Sequence, residues 1–307
     1  MDVIEAIFYI IQDGIEVGLI WSLLGLGVFI SFRVLDTADL TAEGAVTLGS
    51  AISVSLILKG LGGPLALVIS LLGGFAAGAI TGVLHTKLKI PAILSGIITM
   101  TGLYSINLRI MGGASLPLGD MDNVYTILGS IINNTSYAKI ITTLFIVIIV
   151  FFLLYWFFGT EIGMSLRATG MNQKMARAQG VNTDIMIILG LAIANGLIAL
   201  SGGLSAQSNR TSSMDVGRGT IVIGLASIII GEVLFGKRSF KNWLISVILG
   251  SVIFQIIVGI AITVGLNPLD LKLVQAILIG VILALPVIKK NIKNIKKKGV
   301  RVDATYK

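Results

Sequence analysis

The sequence predicts an all-α polytopic membrane protein of about nine transmembrane helices. Three observations predict it. The 307 residues are 55% hydrophobic and 12% charged, with a mean hydropathy of +0.97, whereas soluble globular domains are about 25% charged. The apolar residues fall into runs of about 20, the length that crosses a bilayer core as a helix. The 37 glycines suit helices that pack in lipid through small residues.

In chain order the runs lie near residues 7 to 32, 43 to 60, 62 to 84, 90 to 112, 138 to 158, 185 to 206, 218 to 235, 242 to 266 and 270 to 288. The first carries Asp13 and Glu16, so residues 1 to 14 have an alternative as a separate interfacial helix. The third carries Gly74, Gly78 and Gly82 at four-residue spacing, a close-packing face. The seventh follows NRTSSMDVGRG and is broken at that end by glycines and polar residues, which gives it an alternative as a half-crossing helix. Irregular backbone at such depth is tolerated only against protein or a water-filled cavity, so this segment is expected to line something.

Short-loop Lys and Arg set the orientation. Lys87 and Lys89, then Arg167, Lys174 and Arg177, then Lys237, Arg238 and Lys241, fall on one side if the spans alternate, with Lys59 the minor exception. That side is expected to be the cytoplasm, with the N-terminus outside and the C-terminus inside. The net charge of +8 is mostly a tail, because Lys289 to Lys307 hold eight Lys or Arg and one Asp. Such a cluster after a span reads as an anchor on anionic lipid rather than a nucleic-acid site. The expected division is therefore a transmembrane domain over 1–288 and a basic cytoplasmic tail over 289–307. There are no cysteines, which removes disulfides and thiolate chemistry. The acidic start, MDVIEAIFYIIQDGIEVG, lacks the basic opening of a cleavable signal.

One polar stretch interrupts the hydrophobic chain, residues 159–184, GTEIGMSLRATGMNQKMARAQGVNTD. Asn172 suits an N-cap and Gly180 a C′ position, predicting a short helix over Gln173 to Gln179. Ala176 and Ala178 are expected to give it one small face, open to close approach by another surface. A further helical turn is expected from Gly163 to Thr169, bounded by Gly170.

These residues resemble the cytoplasmic coupling loop of ABC-importer permeases of the branched-chain amino acid and ribose permease superfamily. DLTAEGAVTLGSAIS upstream is similar to the family's second-span region, and ANGLIALSGGLSAQ with GRGTIVIGLASIIIGEVLFG downstream to its glycine-rich late spans. The resemblance covers nearly the whole chain except the termini. DLTAEGAVTLG and ARAQGVNTD are most similar to a subgroup paired with tryptophan-type or otherwise unassigned binding proteins. It implies a type II importer permease architecture in a bacterial plasma (inner) membrane. The implied partners are a second copy of the permease, a cytoplasmic ABC ATPase dimer and an extracytoplasmic substrate-binding protein, besides membrane lipids. The implied cargo is a small solute: an aromatic amino acid such as tryptophan first, a branched-chain one second, a nucleoside or sugar as the alternative. The chain itself is expected to be non-catalytic and to bind no cofactor, with ATP and magnesium held by the ATPase. The resemblance makes Arg167, Lys174 and Arg177 candidates for charged contacts with the ATPase, Ala176 and Gly180 for close backbone approach, and Gly170 and Asn172 for bounding the coupling element.

Ionisable residues within spans cost ~2.5 to 3.5 kcal/mol at a helix centre, which makes them candidates for function. Glu43 and Glu232 are the acidic candidates for the solute path, with Asn107, Arg109, Asn195 and Gln255 as polar company. GEVLFGKR, residues 231–238, nearly spells a phosphate-binding loop, but Arg238 stands where Ser or Thr must hold magnesium. Lone His85 has no ligand-spaced partner, so no metal site is expected. An ATPase-independent secondary transporter needs coupling groups at mid-membrane and internal repeats, and neither is evident in the sequence.

Overall fold

The computed structural model describes residues 3–129 and 135–263, with four isolated helical positions between 273 and 280. Apart from those positions, the predicted ninth span and the tail lie outside the described residues. The fold is helical: α1 (Val3–Phe29), α2 (Thr41–Leu58), α3 (Gly63–Thr86), α4 (Ala92–Met111), α5 (Val124–Gly129), α6 (Thr135–Gly159), α7 (Glu161–Met171), α8 (Gln173–Ala178), α9 (Thr183–Asn209), α10 (Thr220–Phe235) and α11 (Phe240–Thr263). Seven of these are long and apolar enough to cross a membrane, while α10 is a shorter apolar helix. One feature had no sequence signal. The three-residue strands β1 (Ser115–Pro117) and β2 (Thr211–Ser213) pair antiparallel, with Leu116 opposite Ser212.

Residues 3 to 14 are part of α1, which continues into one π turn, Ile30–Val34. The alternative of a separate interfacial helix therefore falls. Glu16 is tolerated within α1 because it is neutralised: Lys139 Nζ lies 3.2 Å from its carboxylate and Ser208 Oγ donates to it at 2.8 Å.

The bundle is organised around α9, whose side chains from Ala194 to Ala206 are almost all buried. Its neighbours reach it through glycine. On α3, a Cβ at Gly74, Gly78 or Gly82 would meet the α9 backbone at Asn195, Leu191 and Ile188. The four-residue spacing read in the sequence is thus a contact stripe against one partner. On the other flank, Gly49 of α2 abuts Ala199 and Gly202 of α9 abuts Val46. Such contact brings backbones closer than side chains allow and gathers dispersion along the helix length.

One end of the bundle collects the basic loops, where Asp184 meets Arg177 and Lys87 and Arg33 meets Glu232. The opposite end holds β1, β2 and the Arg210–Asp120 pair. Two helices start inside the bundle rather than at an end. The first turn of α2 lies level with the last two turns of α3 and the middle of α9, because Thr41 bonds Thr81 and the preceding Asp39 bonds Asn195. Meanwhile α10, with 16 residues, is about 24 Å long, short of a hydrocarbon core of ~30 Å.

Gly78→Leu is expected to overpack the α3–α9 contact and cost about 1–3 kcal/mol or more, read as a lowered melting temperature of the detergent-purified protein. Gly102→Leu faces open space and should leave the melt unchanged.

Candidate functional site

Two places gather the polar residues that a membrane bundle would otherwise exclude. The first is the connector at the basic end. Thr160 caps α7 by accepting from Gly163 N at 3.3 Å, and Asn172 caps α8 by accepting from Met175 N at 3.1 Å. The chain leaves α8 through Gly180 at φ +85, a left-handed value that glycine adopts without strain. The capped helix expected over 173 to 179 thus spans Gln173–Ala178, with Gln179 as its C-cap.

Two details of the connector differ from expectation. Helix α7 runs through Gly170 rather than stopping at it, and ends at Asn172, whose backbone is extended. Gly170 is small because it abuts the Val34 carbonyl and Leu35. Ala176 and Ala178 do not share a face: Ala176 is buried within the chain and Ala178 is exposed. At 100° per residue two positions apart are nearly opposite, so Ala176 is removed from the outward surface.

That surface instead presents Lys174, Ala178, Gly180 and two methionines, Met171 at 89% and Met175 at 60% exposure. Methionine is an adaptable apolar contact, and the sequence reading overlooked both. Arg177 is turned toward its own chain, its Nε donating to Thr183 Oγ1 at 2.5 Å and its Nη2 to Asp184 Oδ1 at 2.8 Å. This fastens α8 to the start of α9. Arg167 lies away from α8, with its guanidinium 5.1 Å from the centre of the Phe240 ring.

The second place is a cavity of about 310 Å³ between the first turns of α2, the middle of α4 and the segment entering α10, near the lower size limit for small-molecule sites. Glu43, Thr47, Asn107 and Arg218 supply its polar groups and Met100, Tyr104 and Met214 its apolar ones. Glu43 Oε1 accepts from Gly219 N at 2.9 Å, so the α2 carboxylate satisfies a free amide at the start of α10. Asn107 is 1% exposed; its Nδ2 donates to the Gly44 carbonyl at 3.3 Å, and its Oδ1 has no hydrogen-bond partner among the described residues. A buried acceptor without a donor costs about 1–3 kcal/mol, and here it belongs to a cavity-lining residue. Arg218 pairs with exposed Asp215 at 2.8 Å.

Of the six path candidates, the cavity therefore unites Glu43 and Asn107 only. Arg109 is exposed in the last turn of α4, outside the cavity lining. Gln255 is buried on α11. Glu232 accepts from Arg33 Nη2 and Trp243 Nε1, both at 2.9 Å, tying α1, α10 and α11 together at the basic end. Asn195 serves a separate buried cluster, donating to Asp39 Oδ2 at 2.6 Å while Asp39 Oδ1 accepts from Thr41 N at 2.9 Å. Asp39 is 1% exposed, and it caps a helix that begins inside the bundle. Sequence reasoning missed it because it stands between two spans, where a carboxylate looks unremarkable.

Among the described residues no group of His, Cys, Asp or Glu is arranged to hold a metal. His85 Nδ1 lies 2.8 Å from the Ile90 carbonyl, closing the turn between α3 and α4.

The family described as the permease component of the branched-chain amino acid transport system matches residues 10–286. A tyrosine transport system permease protein of Clostridioides difficile (strain R20291) is 40% identical over 266 residues, 87% of this chain and 88% of that one. An uncharacterised protein of Rickettsia prowazekii (strain Madrid E) is 31% identical over 90% of this chain and 97% of its own length. A ribose import permease protein of Haemophilus influenzae is 28% identical over 53% of this chain and 50% of its own. No solved structure matches.

Asn195→Leu is expected to leave Asp39 Oδ2 buried without its donor and to destabilise by about 1–3 kcal/mol or more. The check is thermal unfolding in detergent, in which Asp39→Asn combined with Asn195→Leu should unfold no earlier than Asn195→Leu alone.

Proposed function

We propose, on the premise that the chain belongs to the branched-chain amino acid transport permease family, that it forms the membrane path of an ABC importer for an amino acid, an aromatic one first. It is a multi-pass protein of the bacterial inner membrane. The observation that carries the reading is the cavity bounded by two helices that begin within the bundle. Helix N-termini at such depth carry a positive dipole end, which is how discontinuous helices attract a solute's anionic group. Glu43 supplies an acceptor for its cationic group, and Tyr104, Met100 and Met214 an apolar wall for its side chain.

The surface of α4 supports the path reading. Its first half exposes Ile93, Leu94, Ile97 and Ile98, whereas its second half exposes Thr101, Tyr104, Ser105 and Arg109 beside Ile106, and an ionisable group such as Arg109 against lipid is costly. By contrast, α6 exposes Phe145, Ile148, Phe152 and Leu153, a surface suited to acyl chains. We assign the α4 side to a water-filled path shared with a second copy of the chain, and the α6 side to lipid.

At the basic end, taken as cytoplasmic from its Lys and Arg content, α8 and the exposed Met171 and Met175 are the docking surface for a separate ATPase, with Lys174 at its rim. Because Arg177 fastens α8 to α9, displacement of α8 is carried into the helix on which α2 and α3 are packed. ATP hydrolysis and magnesium belong to that partner, and solute affinity to an extracytoplasmic binding protein. The relative named for tyrosine transport supports an aromatic substrate. A tryptophan-type binding protein is the finer form of the same reading, and a branched-chain amino acid is the second choice.

The reading is tested by reconstituting the permease with its ATPase and binding protein and following ATP-driven uptake of labelled tyrosine. Unlabelled tryptophan should compete; uptake of ribose with no amino-acid competition would sink the amino-acid reading. Glu43→Gln keeps an acceptor for Gly219 N but removes the charge, and should lower uptake about tenfold, the equivalent of ~1.4 kcal/mol, without lowering the melting temperature. Met175→Glu should abolish co-purification of the ATPase while leaving the permease folded, and retained ATPase binding in that variant would remove α8 from the docking surface.

A further inference from the structure

A second cavity, at the basic end, lies apart from the path cavity and shares Met171 with the surface assigned to the ATPase. It holds about 650 Å³ between the π turn after α1, helix α7 and the α10–α11 junction. Four cations line it: Arg33, Arg167, Lys237 and Arg238. Among the described residues, the carboxylate bonded to any of them is Glu232, engaged by Arg33 and Trp243. Among the described residues Arg167, Lys237 and Arg238 have no carboxylate partner; Arg167 lies over Phe240 and Lys237 lies 5.8 Å from the centre of the Trp243 ring. Three cations without carboxylate partners beside one cavity repel one another unless an anion joins them.

The surroundings say which anion. A neighbouring cavity shares Arg167 and Phe240 and leads to Tyr155 and Trp156 at the end of α6. Trp156 is 68% exposed and Tyr155 48%, next to the exposed apolar residues Phe152 and Leu153 of the same helix. Exposed Trp and Tyr at the end of a spanning helix mark the headgroup level, so the cations sit where lipid phosphates lie and the groove beside them is apolar.

We propose that this cavity binds the headgroup of an anionic phospholipid, its phosphate held by Arg167, Lys237 and Arg238 and its upper acyl chain lying against Phe240 and Trp156. The site joins α7, which leads to α8, with the α10–α11 junction, so bound lipid would brace the connector against the bundle. The inference does not depend on the solute or on the α4 path.

The test uses the full-length chain with Trp21→Phe and Trp156→Phe, leaving Trp243 as the reporter, in phosphatidylcholine nanodiscs. Each preparation is doped with an equal fraction of dibrominated phosphatidylcholine or dibrominated phosphatidylglycerol. Trp243 should be quenched more by the brominated phosphatidylglycerol, with the preference falling about fivefold for each cation removed in Lys237→Gln and Arg238→Gln. Lys241→Gln, on the same junction but outside the cavity lining, should leave the preference intact. Equal quenching by the two lipids overturns the proposal, as does an effect of Lys241→Gln as large as that of Lys237→Gln, which would mean diffuse surface charge. Release of the lipid preference by millimolar inorganic phosphate would assign a free-anion site instead. Protection of Trp243 by added ATPase subunit without any lipid preference would assign the cavity to a protein contact, and also overturns it.

Discussion

The rest of the structure depends on backbone-to-backbone contact along α9. Two helices in lipid gain little from hiding apolar side chains, since the alternative solvent is equally apolar. They hold together by fit. Here Gly74, Gly78 and Gly82 of α3 lie against one side of α9, and Gly49 of α2 interlocks with Gly202 on another. The close approach fixes how deep α2 and α3 sit relative to α9. It thereby fixes where Thr41, Asp39 and Glu43 come to rest, so the position of the cavity is set by contacts made by residues with no side chain.

Placing helix starts inside a membrane bundle leaves amide groups without a backbone partner in the helix. Two carboxylates answer that problem, and both come from the stretch around the start of α2. Asp39 accepts from Thr41 N at the start of its own helix, and Glu43 reaches across to Gly219 N at the start of α10. Asn195 and Thr81 complete the polar contacts at this level. The charges that a hydropathy reading treats as anomalies are therefore what permits irregular backbone at depth. Glu232 does comparable work at the basic end, where it meets an arginine of the π turn and the Trp243 indole.

What was legible in the sequence was local. Caps at Asn172 and Gly180 are decided within four residues, and they define α8. The glycine spacing on α3 is a single-helix periodicity, visible without knowing its partner. The short, interrupted character of the segment before Phe235 also came from composition alone, and its entry does line a cavity. The facing of Ala176 and Ala178 was misread although helical geometry contains the answer, because two small residues were grouped by size and not by angle. The roles of Gly170, Asp39 and Glu232 depend on residues far away in the chain, Val34, Asn195 and Arg33. No single-sequence pattern encodes those distances.

The bond from Glu43 to Gly219 has a thermodynamic consequence. One oxygen of a single carboxylate both holds the first amide of α10 and belongs to the wall of the cavity. A cationic group that draws on Glu43 from the cavity competes with that cap, and reciprocity requires the two equilibria to bias each other by the same factor. Occupancy of the cavity by such a cation and the winding of the first turn of α10 are then conjugate variables, coupled through a helix whose far end carries Glu232.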